Sequence, residues 1–178
     1  KKKIKNYEAA RWGNATQIPF RENPEKNAPL GSKRCGAEYE GRAMKEAPVL
    51  KADSKGIARA SRIILQGGVV AFPTETFYGL GADAGNVRAL QKVFQIKGRE
   101  EHKPLLLLLA DQTWVPGLVK EIPAVAESLM ENFWPGPLTL IFEASPRLPR
   151  LLTGGTGKVG LRISSHPVAQ ALVQKVGR

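Results

Sequence analysis

From about Asp53 onward, apolar and polar residues follow regular periods, and these periods predict alternating helices and strands. Helices are indicated where apolar residues recur every three or four positions between a capping residue and a glycine or proline. Strands are indicated where short apolar runs lie between glycine, proline or polar residues. The predicted helices cover 53–67, 86–98, 124–133 and 167–176, and the predicted strands cover 69–72, 105–109, 138–142 and 158–163. The positions predicted to face the core are Ile57, Ala60, Ile64 and Leu65 in the first helix and Val87, Leu90, Val93, Phe94 and Ile96 in the second.

The apolar run Gly68-Val69-Val70-Ala71-Phe72 has the composition of a central, buried strand. It leads into Pro73-Thr74-Glu75-Thr76-Phe77-Tyr78-Gly79-Leu80-Gly81, which brings hydroxyl groups and a carboxylate to the strand end. Ligands usually bind at such strand ends. The two glycines of this segment are expected either to adopt positive φ or to allow close approach of a ligand.

Residues 1–46 show no sustained hydrophobic period and carry scattered Asn, Gly, Pro and charge, so a loosely ordered basic arm of unknown role is predicted there. Residues 47–178 form the predicted folded domain. The net charge of +11 is divided almost equally, with 13 Lys/Arg against 7 Asp/Glu in residues 1–56 and 14 against 9 in residues 57–178. This excess favours an anionic partner such as a nucleotide or RNA, although a solvated basic surface explains it equally well.

Cysteine, histidine and hydropathy exclude several classes of protein. Cys35 is the only cysteine, so an intrachain disulfide is impossible, and His102 and His166 are too few for a zinc cluster. No run reaches the roughly 18 apolar residues of a membrane span, and no apolar segment follows the lysines at the N-terminus as in a secretion signal. The sequence therefore predicts a soluble, cytoplasmic protein with no membrane partner.

Two glycine-rich segments have to be tested as phosphate loops. Six residues separate Gly79-Leu80-Gly81 from its strand, too many for a dinucleotide-binding turn. In Gly154-Gly155-Thr156-Gly157-Lys158, the Walker spacing places the first glycine at Leu152 and the Ser/Thr at Val159, so neither requirement is met. The second segment is therefore not a Walker motif, but its successive amides remain a candidate phosphate nest.

Basic side chains gather at two predicted element ends. Lys97, Arg99 and Lys103 surround the end of a helix, where they either stabilise the helix C-terminus or clamp a triphosphate. Arg162 ends an apolar strand, and a charge in that position requires an anion or a carboxylate partner.

These residues belong to motifs that follow the 73–81 segment in order: Lys97-Gly98-Arg99, Lys103-Pro104-Leu105-Leu106-Leu107-Leu108, Trp134-Pro135-Gly136-Pro137-Leu138-Thr139, and Gly160-Leu161-Arg162-Ile163 before His166-Pro167. Together they resemble the Sua5/YrdC/TsaC family, the threonylcarbamoyl-AMP synthases, from about residue 48 to residue 178. The resemblance implies an α/β (α+β) fold, with a twisted, mixed parallel/antiparallel open sheet, flanking helices and a basic concave face.

The resemblance also implies an enzyme that converts L-threonine, bicarbonate or CO2, and ATP with Mg²⁺ into threonylcarbamoyl-AMP and pyrophosphate. The product serves the t6A37 modification of tRNA through a partner enzyme, and tRNA or double-stranded RNA is a candidate partner. By matching position, Thr76, Arg162 and Tyr78 bind L-threonine, and Lys97, Arg99, Lys103 and Lys158 bind ATP. No protein nucleophile is required, because catalysis consists of placing two anions in line and neutralising charge.

Two departures from the family pattern stand out. Leu108 occupies a position where many members carry His in the threonine pocket. The family pattern continues into a further strand and a Ser-Ala-Asn segment that touches nucleotide, so the domain is expected to be incomplete at Arg178 and its activity alone is open. Two other functions also stay open: a non-catalytic RNA-binding module of the same fold, and the carbamoyl-adenylating domain of a hydrogenase-maturation carbamoyltransferase.

Overall fold

The computed structural model describes residues 47–177, so the predicted N-terminal arm lies outside the described residues. Helices and strands are interspersed along this part of the chain, and the four longer helices lie where the apolar periods predict them. The helices are α1 (Ser54–Leu65), α2 (Val87–Lys97), α3 (Val115–Leu118), α4 (Ala124–Phe133), α5 (Arg150–Thr153) and α6 (Pro167–Val176). The strands are β1 (Val70–Phe72), β2 (Gly79–Gly81), β3 (Leu106–Leu108), β4 (Leu140–Glu143) and β5 (Lys158–Arg162), and a 3₁₀ turn (Gln112–Trp114) precedes α3.

The helix ends follow the predicted capping residues. Asp53 accepts a hydrogen bond from the amide of Gly56 at 2.8 Å and begins α1. Asn86 begins α2 in the same way, and α2 ends at Gly98, which has a φ of 57° that glycine adopts without strain. The predicted bounds of α4 and α6 coincide with the observed ones.

Two helix positions predicted to face the core are instead exposed. Leu65 is 41% exposed and Ile96 is 62% exposed. Both residues lie in the last turn of their helices, beyond the buried Ile64 of α1 and Phe94 of α2.

The larger sheet has the strand order β3-β5-β4, with β5 parallel to β3 and antiparallel to β4. Val159 and Leu161 of β5 are fully buried in the main core, together with Met130 of α4 and Leu152 of α5. Lys158, Gly160 and Arg162 alternate with them and therefore lie on the opposite face of the sheet. The mixed sheet confirms the predicted fold class.

The strand at 70–72 is not central, contrary to the prediction. It pairs with β2 in a separate two-stranded antiparallel sheet, and Ala71 is exposed. Neither Gly79 nor Gly81 has positive φ. A Cβ atom at Gly81 would lie 2.7 Å from the Phe72 ring, so close approach is needed, but to an aromatic side chain rather than to a ligand.

A second, smaller core joins this hairpin to the helices. Phe72 packs with Ala60 and Ile64 of α1 and with Ala169 and Leu172 of α6. Leu108 of β3 packs against the same cluster, so the end of the larger sheet next to Arg162 lies close to the hairpin. Within residues 47–177, no helix is long and apolar enough to cross a membrane.

Candidate functional site

Arg162, the last residue of β5, makes an ion pair with Glu75 in the loop between β1 and β2. The distance from Arg162 Nη2 to Glu75 Oε1 is 2.6 Å, and Arg162 Nε donates to the same oxygen at 3.1 Å. Only 12% and 15% of the two side chains remain exposed, so the pair is largely removed from water. The predicted requirement for an anion or a carboxylate partner at Arg162 is thus met by a carboxylate 87 residues away.

The second carboxylate oxygen of Glu75 accepts a short hydrogen bond from the Ser164 hydroxyl. Burial raises the pKa of Glu75, but the hydrogen bonds from Ser164 and Arg162, a backbone amide and the charge of Arg162 outweigh it and lower the pKa from 4.5 to about 2. Glu75 is therefore fully ionised at neutral pH and neutralises Arg162.

The third contact of Arg162 comes from the Trp134-Pro135-Gly136 turn, whose Trp134–Pro135 peptide bond is cis. Trp134 is buried and its Nε1 donates to the carbonyl of Leu138 at 2.8 Å. The Gly136 amide donates to Ile163 at 2.8 Å, and the Gly136 carbonyl accepts from Arg162 Nε at 3.2 Å. The tryptophan motif therefore anchors the turn in the core, and the turn also holds Arg162.

A chain of hydroxyl groups lies beside the ion pair. Thr74 donates to the carbonyl of Phe77 at 2.6 Å, which uses its only proton. Thr76 Oγ1 lies 3.2 Å from Thr74 Oγ1, so Thr76 is the donor in that pair. Arg162 Nη2 reaches Thr76 Oγ1 at 3.4 Å, a long and weak contact. The structure thus brings together Thr76 and Arg162, the two central residues of the predicted threonine site.

The other predicted threonine-site residue, Tyr78, is 76% exposed, and its neighbour Phe77 is 85% exposed. Leu108 lies opposite Arg162 on the adjacent parallel strand, which confirms that the departure from the family pattern falls beside this site. An apolar side chain here cannot donate a hydrogen bond to a ligand, so the polar contacts of the site come from Arg162 and the loop threonines.

The cations predicted to bind ATP lie on exposed segments, and the structure shows no contact between them and Arg162. Lys97 ends α2 and is exposed. Arg99 Nη2 donates to the carbonyl of Pro104 at 3.1 Å, and Lys103 pairs with Glu100 at 3.0 Å. Exposed pairs of this kind contribute about 0–1 kcal/mol, so an anionic ligand can displace them. Lys158 is also exposed and lies four residues before Arg162 on the same face of β5.

The glycine segment before β5 is not a phosphate nest, contrary to the possibility left open from the sequence. Gly154, Gly155 and Gly157 do adopt positive φ. However, the amides of Gly154, Gly155 and Thr156 donate to carbonyls of the preceding turn, and that of Lys158 donates to the Thr156 hydroxyl. These amides point into the loop and are not available to an anion.

Glu75 and Ser164 are the site residues that sequence reasoning missed. The signal for Glu75 was an acidic residue between two threonines at a strand end, but nothing local identified its partner. Among residues 47–177, no group of three or more His, Cys, Asp or Glu side chains could hold a metal ion.

Comparison with known proteins shows which family this chain is similar to. The family model of the Sua5/YciO/YrdC proteins, described as telomere recombination, matches residues 62–178. The chain is 44% identical over 115 residues to a threonylcarbamoyl-AMP synthase of Pyrococcus abyssi (strain GE5 / Orsay), which covers 65% of this chain and 34% of that protein. It is 41% identical over 129 residues to the threonylcarbamoyl-AMP synthase of Bacillus subtilis (strain 168), and this match covers 72% of this chain and 37% of that protein.

Two solved structures extend the comparison to the fold. The crystal structure of P. abyssi Sua5 complexed with L-threonine matches with a TM-score of 0.69 and 42% identity, covering 71% of this chain and 37% of that chain. The crystal structure of E. coli YciO matches with a TM-score of 0.65 and 28% identity, and the match covers 71% of this chain and 61% of that chain. The chain spans about a third of the length of the two synthases, at 34% and 37%.

Proposed function

Since this chain belongs to the Sua5/YciO/YrdC family, we propose that it contributes the amino-acid and nucleotide sites of an enzyme that makes threonylcarbamoyl-AMP from L-threonine, bicarbonate or CO2, and ATP. The observation that carries the proposal is the contact of the Arg162 guanidinium, whose side chain is 12% exposed, with the Thr76 hydroxyl. The L-threonine complex of the P. abyssi relative supports it. The adenylated product would then serve the t6A37 modification of tRNA through a partner enzyme.

In this proposal, the carboxylate of L-threonine binds Arg162, which offers charge-assisted hydrogen bonds. Thr76 Oγ1 gives its proton to Thr74, so it can accept a hydrogen bond from the ligand's amine or hydroxyl. Tyr78, exposed in the free protein, would close over the ligand.

ATP would bind across the open face of the larger sheet through Lys158 and through Lys97, Arg99 and Lys103, with Mg²⁺ held by its phosphate oxygens. The threonine nitrogen forms a bond to the carbon of CO2 and loses a proton to solvent. A carbamate oxygen then attacks the α-phosphorus, the bond to the bridging oxygen breaks, and pyrophosphate leaves. This chemistry needs cations and alignment but no protein nucleophile.

The proposal is tested by titrating the protein calorimetrically with L-threonine, with L-alanine as the control ligand. We expect saturable binding of L-threonine only, and Arg162→Ala should weaken it by about 1.5–3 kcal/mol because a charge-assisted hydrogen bond is lost. The exposed variant Glu121→Ala, far from the ion pair in sequence, is the matched control. Equal heats for the two amino acids would refute the threonine site and leave the RNA-binding alternative in its place.

A further inference from the structure

The contacts of Arg162 all lie on one side of its guanidinium group. Nε is shared between Glu75 and the Gly136 carbonyl, and Nη2 is shared between Glu75 and Thr76. Among the described residues, no acceptor bonds Nη1. An arginine has five N–H donors in a rigid plane, so fixing one edge also fixes the direction of the other. The Nη1 edge is therefore the one that a ligand can reach.

The carboxylate that fixes this edge is itself held in place. Glu75 accepts both arginine contacts with Oε1, while Oε2 is bound by the Ser164 hydroxyl. Ser164 is buried at 3% exposure, its hydroxyl accepts from the amide of His166 at 3.2 Å, and its carbonyl accepts from Gln170 Nε2 at 2.6 Å. The position of the guanidinium is thus linked, through Glu75 and Ser164, to the first turn of α6.

We infer that Glu75 is a positioning residue: it orients Arg162 so that the Nη1 edge is presented to the carboxylate of the amino-acid substrate. The inference rests on the proposed function for the identity of the ligand. Glu75 does not itself attract the ligand, because its negative charge repels a carboxylate. What the site needs from Glu75 is the shape and hydrogen bonding of its side chain.

Shape and charge can be separated by two substitutions. Glu75→Gln keeps the length of the side chain and an oxygen that accepts from Nε and Nη2, and its amide can donate to the Ser164 hydroxyl, which also accepts. Glu75→Asp keeps the charge but is shorter by about 1.5 Å, so it cannot reach Arg162 and Ser164 together. Positioning therefore predicts that the glutamine variant, and not the aspartate variant, preserves binding.

The experiment measures the dissociation constants of L-threonine and L-threoninamide, which lacks the carboxylate, for the full chain and its variants. We expect Glu75→Gln to bind L-threonine at least as tightly as the wild type and Glu75→Asp about tenfold more weakly, with Ser164→Ala about threefold weaker. Affinity for L-threoninamide should change little, because that ligand does not use the oriented guanidinium. Glu121→Gln is the control for loss of an exposed carboxylate.

The Nε–Hε signal of Arg162 in ¹⁵N–¹H spectra gives a readout that needs no ligand, assigned by its disappearance in Arg162→Lys. It should be slowly exchanging in the wild type and Glu75→Gln, and broadened in Glu75→Asp. The reverse order of the two variants, or equal losses of affinity for both ligands, would overturn the positioning role. A wild type that fails to bind L-threonine but retains this pattern of signals would overturn the proposed function and leave the orientation of Arg162 by Glu75 established.

Discussion

Acid should remove the stabilisation that ionised Glu75 gives to the fold, and Glu75→Gln should abolish that dependence on pH. The pKa of Glu75 is lowered from 4.5 to about 2 in the folded protein. Between these values the unfolded chain binds more protons than the folded chain, so the free energy of unfolding rises with pH across this interval. The contribution is complete above about pH 5 and is lost as the pH falls through 4.5 towards 2.

The magnitude follows from the same two pKa values. A pKa lowered from 4.5 to about 2 corresponds to about 3.4 kcal/mol, at about 1.4 kcal/mol for each pH unit. Solvent still reaches 15% of the Glu75 side chain, and this contact with water screens the ion pair. We therefore expect the effect on stability to be about 1–2 kcal/mol, between the value for the unscreened pair and that for an exposed salt bridge.

The assay is urea denaturation at pH 7, 5, 4, 3 and 2.5, followed by the fluorescence of buried Trp134 and by circular dichroism. Other carboxylates titrate over this range, so the informative quantity is the difference in free energy of unfolding between wild type and Glu75→Gln. That difference should shrink by about 1–2 kcal/mol between pH 5 and pH 2.5. Glu121→Gln, which lies on an exposed loop, should show a difference that does not vary with pH. A difference for Glu75→Gln that stays constant throughout would refute the ion-pair account of its pKa.

Two further predictions concern the exposed cations and the glycine turn. Arg99→Lys should weaken ATP binding about three- to tenfold in calorimetry although the charge is kept, because an ammonium cannot bind two phosphate oxygens as a planar guanidinium does. Arg88→Lys, at an exposed position of α2, is the control. Equal affinities of the wild type and both variants for ATP would contradict the role of Arg99 in binding the triphosphate. Gly157→Ala should destabilise the fold by about 1 kcal/mol, because Gly157 has positive φ. Gly154→Ala should destabilise it by about 3 kcal/mol or more, because Gly154 also has positive φ and a Cβ atom there would collide with the His102 carbonyl. Equal thermal unfolding midpoints for these two variants would show that the turn adjusts to the collision.

The capping and proline signals act locally, and they predicted the four longer helices, whereas the four-residue helices α3 and α5 were not predicted. Pro167 and Pro123 stand at the start of α6 and α4, and their fixed φ makes the boundary visible in the sequence itself. The strand β2 escaped prediction because Gly79-Leu80-Gly81 has no hydrophobic period. It is a strand only because the Phe72 ring packs over both glycines from the partner strand.

The same distinction explains what could be predicted of the site. A lone arginine at the end of an apolar strand indicates that an anion must be near, and this was correct. The sequence could not say which of the acidic residues serves, because Glu75 and Arg162 are 87 positions apart and meet only when the hairpin packs beside the larger sheet. Ser164 is buried by the same packing, so its role is equally invisible before the fold is known.

The ion pair also limits how strongly the site can attract a carboxylate. At an effective dielectric constant of about 20, a ligand carboxylate about 4 Å from Arg162 gains about 4 kcal/mol. Glu75, on the far side of the guanidinium at roughly 8 Å, repels that ligand by about 2 kcal/mol, so only about half of the Coulomb attraction remains. The rest of the affinity must then come from the direction of the hydrogen bonds, which Glu75 and the Gly136 carbonyl fix in advance. A site built this way discriminates by geometry, since a ligand that does not meet both the Nη1 edge and the Thr76 hydroxyl gains only this reduced attraction.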